Sequence, residues 1–207
     1  MKRKIFISFR FDDGFNVKEN LVSFLEKRDL IVNKSEDVDR SNMSDDSIEE
    51  YLFEKLRDTS ITLVILTPNA INYKINHLGE LDDWLYDELR YSLYERKGNT
   101  INGVIALYTE DAKESLMRSS KSFCQTCKSQ HTSSLISDFN NLVRKNMMNV
   151  KPSFKKNSCD GYYDSNYDSY ISLVAINDFM ANPDHYLDIA YDKRKSCNQY
   201  NLVKRLS

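Results

Sequence analysis

The stretch 61-ITLVILT-67 constrains this chain most. Six consecutive apolar or β-branched residues, bounded by polar ones, read as a strand with both faces covered, not as one with a wet side. A second run of the same kind, 103-GVIALY-108, follows. A helical pattern at about Leu78 to Arg96 separates the two, so they are expected to pair in parallel across a helical crossover.

The flanking sequence extends that alternation. Residues 4-KIFISF-9 read as a strand, followed by Asp-Gly turn chemistry in 10-RFDDGFN-16. Val17, Leu21, Phe24 and Leu25 recur at helical spacing, which predicts a helix to about Leu30. Ile31–Val32 is a candidate short strand. After the polar segment 33–46, Ser44 or Asp45 is a candidate cap for a helix buried through Ile48, Leu52, Phe53 and Leu56. Beyond Glu110 the sequence reads as loop-rich to about residue 134, with a helix expected from about Leu135 to Met148. Residues 151–169 are polar and rich in Tyr. Then 170-YISLVA-175 predicts a last strand, and Asn182-Pro183 opens a final helix. The expectation is one α/β domain over 1–207, with a loop-rich insertion at about 111–134 and a strand-helix elaboration at about 151–207.

Composition removes several function classes. With 29 basic and 31 acidic residues the net charge is -2, which gives no bulk field for nucleic acid. The basic C-terminal stretch reads as a solvated helix end. The apolar run at the start, Ile5–Phe6–Ile7, falls short of the roughly 7–15 residues of a signal core. No run approaches the roughly 18 apolar residues of a membrane span. A cytoplasmic protein is therefore expected. The five Gly form neither a dinucleotide fingerprint nor a P-loop, and neither a nucleophile elbow nor a zinc-protease motif is present. His77, His131 and His185 are far apart and read as surface residues.

The segment 82-DDWLYDEL-89 holds the only Trp and four carboxylates. On a helical wheel, Leu78, Leu81, Leu85 and Leu89 form an apolar stripe. Asp83, Asp87, Arg90 and Tyr94 fall on the far, solvated side, and Asp82 suits the helix start. Glu88 lies on the shoulder of the stripe beside Trp84. There a carboxylate is partly desolvated, an environment that suits a functional acid and equally a structural one.

A single carboxylate is enough for one kind of reaction. Cleaving the nicotinamide–ribose bond of NAD expels a neutral ring, because the bound ring is already cationic. The remaining demand is to orient the ribose and stabilise its oxocarbenium-like centre.

The four cysteines are Cys124, Cys127, Cys159 and Cys197. The spacing in 124-CQTCKSQH-131 is metal-like, and Cys159 would complete a Cys3His set. Structural zinc more often shows two tight ligand pairs, so free thiols in a loop are the expected state and no metal ligands are assigned.

Three segments together resemble a TIR domain. The stretch 5-IFISFRFDD-13 is similar to the opening TIR strand with its Ser-Phe-Arg and acid. The run 61-ITLVILTPNAIN-72 is similar to the strand that ends in Thr-Pro-Asn, and 84-WLYDEL-89 to the Trp-x-x-x-Glu-Leu motif on the next helix. The similarity covers about residues 4–110. The stretch 168-DSYISLVAINDFMANPDHYLDIAYDKR-194 further resembles the TIR-like proteins of bacterial Thoeris antiphage defence. The loop 69–83 and the Cys-containing stretch 111–134 depart from a minimal TIR domain.

The resemblance implies a flavodoxin-like three-layer fold, with a central parallel sheet flanked by helices. It implies Glu88 as the catalytic acid, and Ser8, Phe9, Arg10, Asp13 and Trp84 around the nucleotide. NAD would be a substrate rather than a bound cofactor, cleaved to an ADP-ribose-derived messenger for a separate effector protein. That messenger would be a cyclic ADP-ribose isomer or histidine joined to ADP-ribose. A phage-derived trigger and homo-oligomers belong to the same picture; nucleic acid and membrane do not. Three other readings stay open: a non-catalytic TIR adaptor acting through TIR–TIR contacts, a nucleoside deoxyribosyltransferase-like enzyme, and a zinc-stapled binding module.

Overall fold

The computed structural model describes residues 3–29, 31–33, 45–79, 81–95, 100–156, 159 and 162–206. The expected caps of the second helix include Ser44, which lies outside these residues.

The central sheet has five parallel strands: β1 (Arg3–Ser8), β2 (Ile31–Asn33), β3 (Ile61–Leu66), β4 (Gly103–Tyr108) and, late in the chain, β7 (Ile171–Ala175). Their order across the sheet is β2-β1-β3-β4-β7. Ile5 pairs with Ile61, Ile61 with Gly103, and Tyr108 with Ala175. Every residue of β3 and β4 is buried, as their nearly continuous apolar runs lead one to expect. Because the chain leaves β1 in opposite directions toward β2 and β3, the order reverses between β1 and β3. Such a reversal opens a crevice beyond the carboxyl ends of the strands.

Helices cover both faces. Ile5, Ile7, Leu63, Ile65 and Leu107 face α1 (Phe11–Lys27), α6 (Ile176–Ala181) and α7 (Pro183–Lys195), meeting Leu21, Leu25, Phe179 and Leu187. The alternate residues face the other way. Phe6 meets Leu52 and Leu56 of α2 (Asp45–Arg57), and Val64, Leu66 and Ala106 meet Leu85 and Leu89 of α3 (Trp84–Ser92). A Cβ on Gly103 would stand 2.1 Å from the carbonyl oxygen of Ala190, so the close seat of α7 on β4 requires glycine there.

Four local expectations are corrected. The helix expected over Leu78 to Arg96 is only Trp84–Ser92. Gly79 adopts φ +82 in a turn closed by its N–H to Asn76 O, and Leu78 of the expected apolar stripe is exposed. The cap is Asp83, not Asp82: its Oδ1 accepts from Leu85 N at 3.0 Å. Far from solvated, Asp83 is buried.

The second and third corrections concern residues 111–148. The expected loop contains the short helix α4 (Lys113–Leu116) and an antiparallel hairpin, β5 (Met117–Phe123) with β6 (Gln130–Ile136). Its Ser-rich strands lack the apolar alternation by which strands are recognised. The helix expected from Leu135 shrinks to α5 (Leu142–Lys145), because Asn141 caps it late by accepting from Val143 N at 2.8 Å.

The fourth correction concerns the basic end of α7. Lys193 is buried rather than solvated, and its Nζ donates to Ser169 O and Ser172 Oγ, both at 2.6 Å.

Candidate functional site

The carboxyl end of β1 delivers Ser8 and, just beyond it, Arg10 to the rim of the crevice, and the first turn of α1 adds Asp13. From the next layer, the N-terminal turn of α3 adds Asp83, Trp84 and, one turn on, Glu88. Glu88 sits at the centre of this set. Its Oε2 accepts from Ser8 Oγ at 2.6 Å, and its Oε1 accepts from Trp84 Nε1 at 2.7 Å. At 2% exposure it is nearly sealed. A buried carboxylate is costly unless donors face it, and here each oxygen has one. The wheel placed Glu88 on the shoulder of the buried stripe; the fold draws it fully inward because Ser8 stands opposite.

Arg10 and Asp83 form a second buried contact beside the first. Arg10 Nη2 lies 2.5 Å from Asp83 Oδ2, with both side chains sheltered. The same oxygen accepts from Lys74 N, tying the 74–79 turn to the helix start. Arg10 Nε, also buried, meets no acceptor among the described residues. Asp13 is held separately. Its carboxylate accepts from Thr67 Oγ1 at 2.6 Å and from Asn69 N at 3.0 Å, joining α1 to the end of β3.

The sequence-expected residues thus divide. Ser8, Trp84 and Glu88 form one hydrogen-bonded unit, with Trp84 also packed against Tyr51 at 6.2 Å between ring centroids. Arg10 is held by Asp83, and Asp13 by the end of β3. Phe9 goes elsewhere. It packs with Phe11 and Phe15 on the α1 side, across the sheet from Ser8, because successive strand residues point to opposite faces. Asp83 was missed as a site residue. The signal was its position immediately before the helix, where a short acid caps.

A groove of about 710 Å³ runs between α1 and α6, lined by Leu21, Phe24, Lys27, Thr109, Ile176 and Met180 among others. It is on the other face of the sheet from Glu88 and has no carboxylate among its described lining residues. Its size does not make it the reactive centre.

A second cluster is remote from α3 in sequence. The ligand atoms of Cys124, Cys127, His131 and Cys159 all lie within 4.8 Å of one another. Free thiols in a loop had no reason to converge, and His131, expected on the surface, is half-buried among them. The His131 imidazole lowers the Cys127 thiol to about 6, while Cys127 raises its neighbour Cys159 to about 11. His77 and His185 are exposed, as expected. No family model matches the chain.

Proposed function

We propose that this chain is a TIR-type, flavodoxin-like enzyme of bacterial antiphage defence that cleaves NAD at the nicotinamide–ribose bond. The observation that carries the reading is the buried Glu88 carboxylate beside the carboxyl end of β1, gripped by Ser8 and Trp84. In an open α/β sheet this is the edge where ligands bind.

The chemistry asks little more of the protein. As the C1′–N bond breaks, its electron pair moves to the ring nitrogen and neutralises it, so departure needs no proton. Positive charge develops on the ribosyl carbon, and a fixed carboxylate in a dry site offsets it. Ser8 and Trp84 fix the carboxylate's orientation before substrate arrives. The ADP-ribosyl group then passes to an acceptor: its own adenine, a histidine-like molecule or water. The messenger so formed activates a separate effector in the cytoplasm, after a phage-derived trigger and with self-association as a means of control.

Burial sets a condition on this reading. Substrate reaches Glu88 only when Trp84 or Ser8 yields its place. Arg10, next in line along the rim, would then exchange Asp83 for the diphosphate.

The test incubates purified protein with NAD, alone and with histidine or phage-infected lysate, and follows nicotinamide and new nucleotides by chromatography. Nicotinamide release that is lost in Glu88→Gln supports the assignment. Release that persists unchanged in Glu88→Gln removes it. A folded protein inert under all these conditions points to an adaptor.

A further inference from the structure

The β5–β6 hairpin raises a problem of stability that the rest of the fold does not share. Its strands are polar, and Phe123 at its tip is 58% exposed. In the segment that meets it, residues 151–169, the regular structure among the described residues is a 3-10 turn at Pro152–Phe154. Among the described side chains, neither piece contributes much to the apolar clusters, yet both converge at one point. That point is Cys124, Cys127, His131 and Cys159.

The convergence is built by the backbone. Cys124 N donates to Ser129 O at 2.9 Å, closing the turn after β5. Lys128 takes φ 55, a left-handed conformation that non-glycine residues adopt at a cost. This turn brings Cys127 back over β6, where its Sγ lies 2.9 Å from His131 Nε2. From the other segment, Lys155 Nζ donates to the Cys159 carbonyl at 2.8 Å, and the Tyr162 ring lies 5.6 Å from that of His131. Two stretches distant in sequence thus present one imidazole and three sulfurs to a common centre.

We propose that Cys124, Cys127, His131 and Cys159 bind one zinc ion, in a closed structural site that staples the hairpin to the segment before β7. A zinc ion held at about 2.3 Å by sulfur and about 2.0 Å by nitrogen sets its ligand atoms roughly 3.5–3.8 Å apart, on the scale of the observed cluster. Three thiolates and an imidazole are soft donors, which favour zinc over magnesium or calcium. Four protein ligands leave no position for water, so the site is a brace rather than a hydrolytic centre. Binding would offset the chain entropy that the sparse apolar contacts here do not cover.

The proposal does not depend on NAD chemistry, and its test reads metal directly. Full-length protein is purified in reducing buffer without chelator, and its metals are measured together with its native mass. The expected result is about one zinc per chain in the wild type, falling below about a tenth of that in Cys124→Ser and in Cys159→Ser. Cys197→Ser, outside the cluster, keeps its zinc. If the cluster variants fail to fold, the wild type is stripped with a strong chelator and titrated with cobalt. It should develop thiolate-to-cobalt charge transfer and tetrahedral ligand-field bands, and stripping should speed proteolysis between residues 117 and 162 by about tenfold or more. Three results would overturn the proposal. One is a wild type that holds no zinc and takes up no cobalt. Another is zinc retained in full by both cluster variants. The third is a chain whose mass shows a disulfide or an iron–sulfur cluster at these residues.

Discussion

Trp84 Nε1 donates to Glu88 Oε1 at 2.7 Å, one helical turn away, so the chain's single indole touches the carboxylate on which the functional reading rests. Any ligand that reaches Glu88 must disturb this contact. Adding NAD to the trigger-competent protein should therefore shift the tryptophan emission, and Glu88→Gln should change the emission without ligand. Saturating NAD that is hydrolysed while the spectrum stays constant would show that access runs by another route.

Glu88→Gln keeps the shape and leaves Trp84 an oxygen to bond. Under the proposed chemistry the charge acts on the transition state, so nicotinamide release is expected to fall by at least about a hundredfold, with KM changed much less. Ser8→Ala, which removes one donor from the carboxylate, should lower kcat by a smaller factor. Product quantification over a substrate series separates the two. A loss confined to KM would make Glu88 a binding group only.

The Arg10–Asp83 pair is sheltered on both sides, with 7% and 1% of the side chains exposed. Breaking such a pair strands the surviving charge. Asp83→Asn, which retains a cap oxygen for Leu85 N, should cost about 3–5 kcal/mol. Adding Arg10→Met should return at least about 1 kcal/mol of that loss, since the stranded cation is then gone. Denaturant unfolding of the two variants measures the coupling; strictly additive losses would contradict it.

Gly103→Ala places a methyl group against the backbone of α7, which cannot rotate away. The expected cost is about 1–3 kcal/mol or more. At this chain length that lowers Tm by about 2–4 °C per kcal/mol. An unchanged Tm would mean that α7 rests less tightly on β4.

Lys193 sets a pH dependence. Burial pulls its ammonium from 10.5 down to about 7. The folded protein releases this proton above about pH 7, while the unfolded chain keeps it to about pH 10.5. Between those limits the unfolded state binds more protons, so stability rises with pH as the burial penalty is lifted. Below about pH 7 both states are charged and the penalty is constant. Relative to Lys193→Met, the wild type should gain up to about 2–3 kcal/mol between pH 7 and 9. Tyr73, Tyr170 and Tyr200, which burial keeps protonated past their ordinary range, act in the opposite sense above about pH 10, so the comparison belongs below that. Parallel pH profiles for the two proteins would refute it.

The layer order was legible wherever burial left a mark on composition. β3 and β4 are nearly continuous in apolar residues because both faces are covered. Glu88 was legible as an exception on a wheel, and the fold supplied its donors. The β5–β6 hairpin was not legible, since its pairing rests on backbone bonds that any polar sequence can make. Asp83 was misread for a related reason: one residue's error in the helix start turns a buried cap into a solvated face. The meeting of Cys159 with the 124–131 cluster could not be read from spacing, because ligands that join two distant segments keep no fixed interval.

Asp13 binds α1 to the Thr67–Asn69 end of β3, while the 74–79 turn is joined to the start of α3 through Asp83 and to α1 through Lys74 and Asp12. The Asp13 contacts belong to the frame, and under the proposed activity the 74–79 turn is a rim that can be exchanged. A graft of the 74–79 turn from another such protein alters the neighbourhood of an incoming acceptor and leaves Ser8, Trp84 and Glu88 in place. Under the proposed activity, the bond that is broken and the molecule that receives the fragment are governed by separable parts. A lineage could then change its signal without reinventing its reaction.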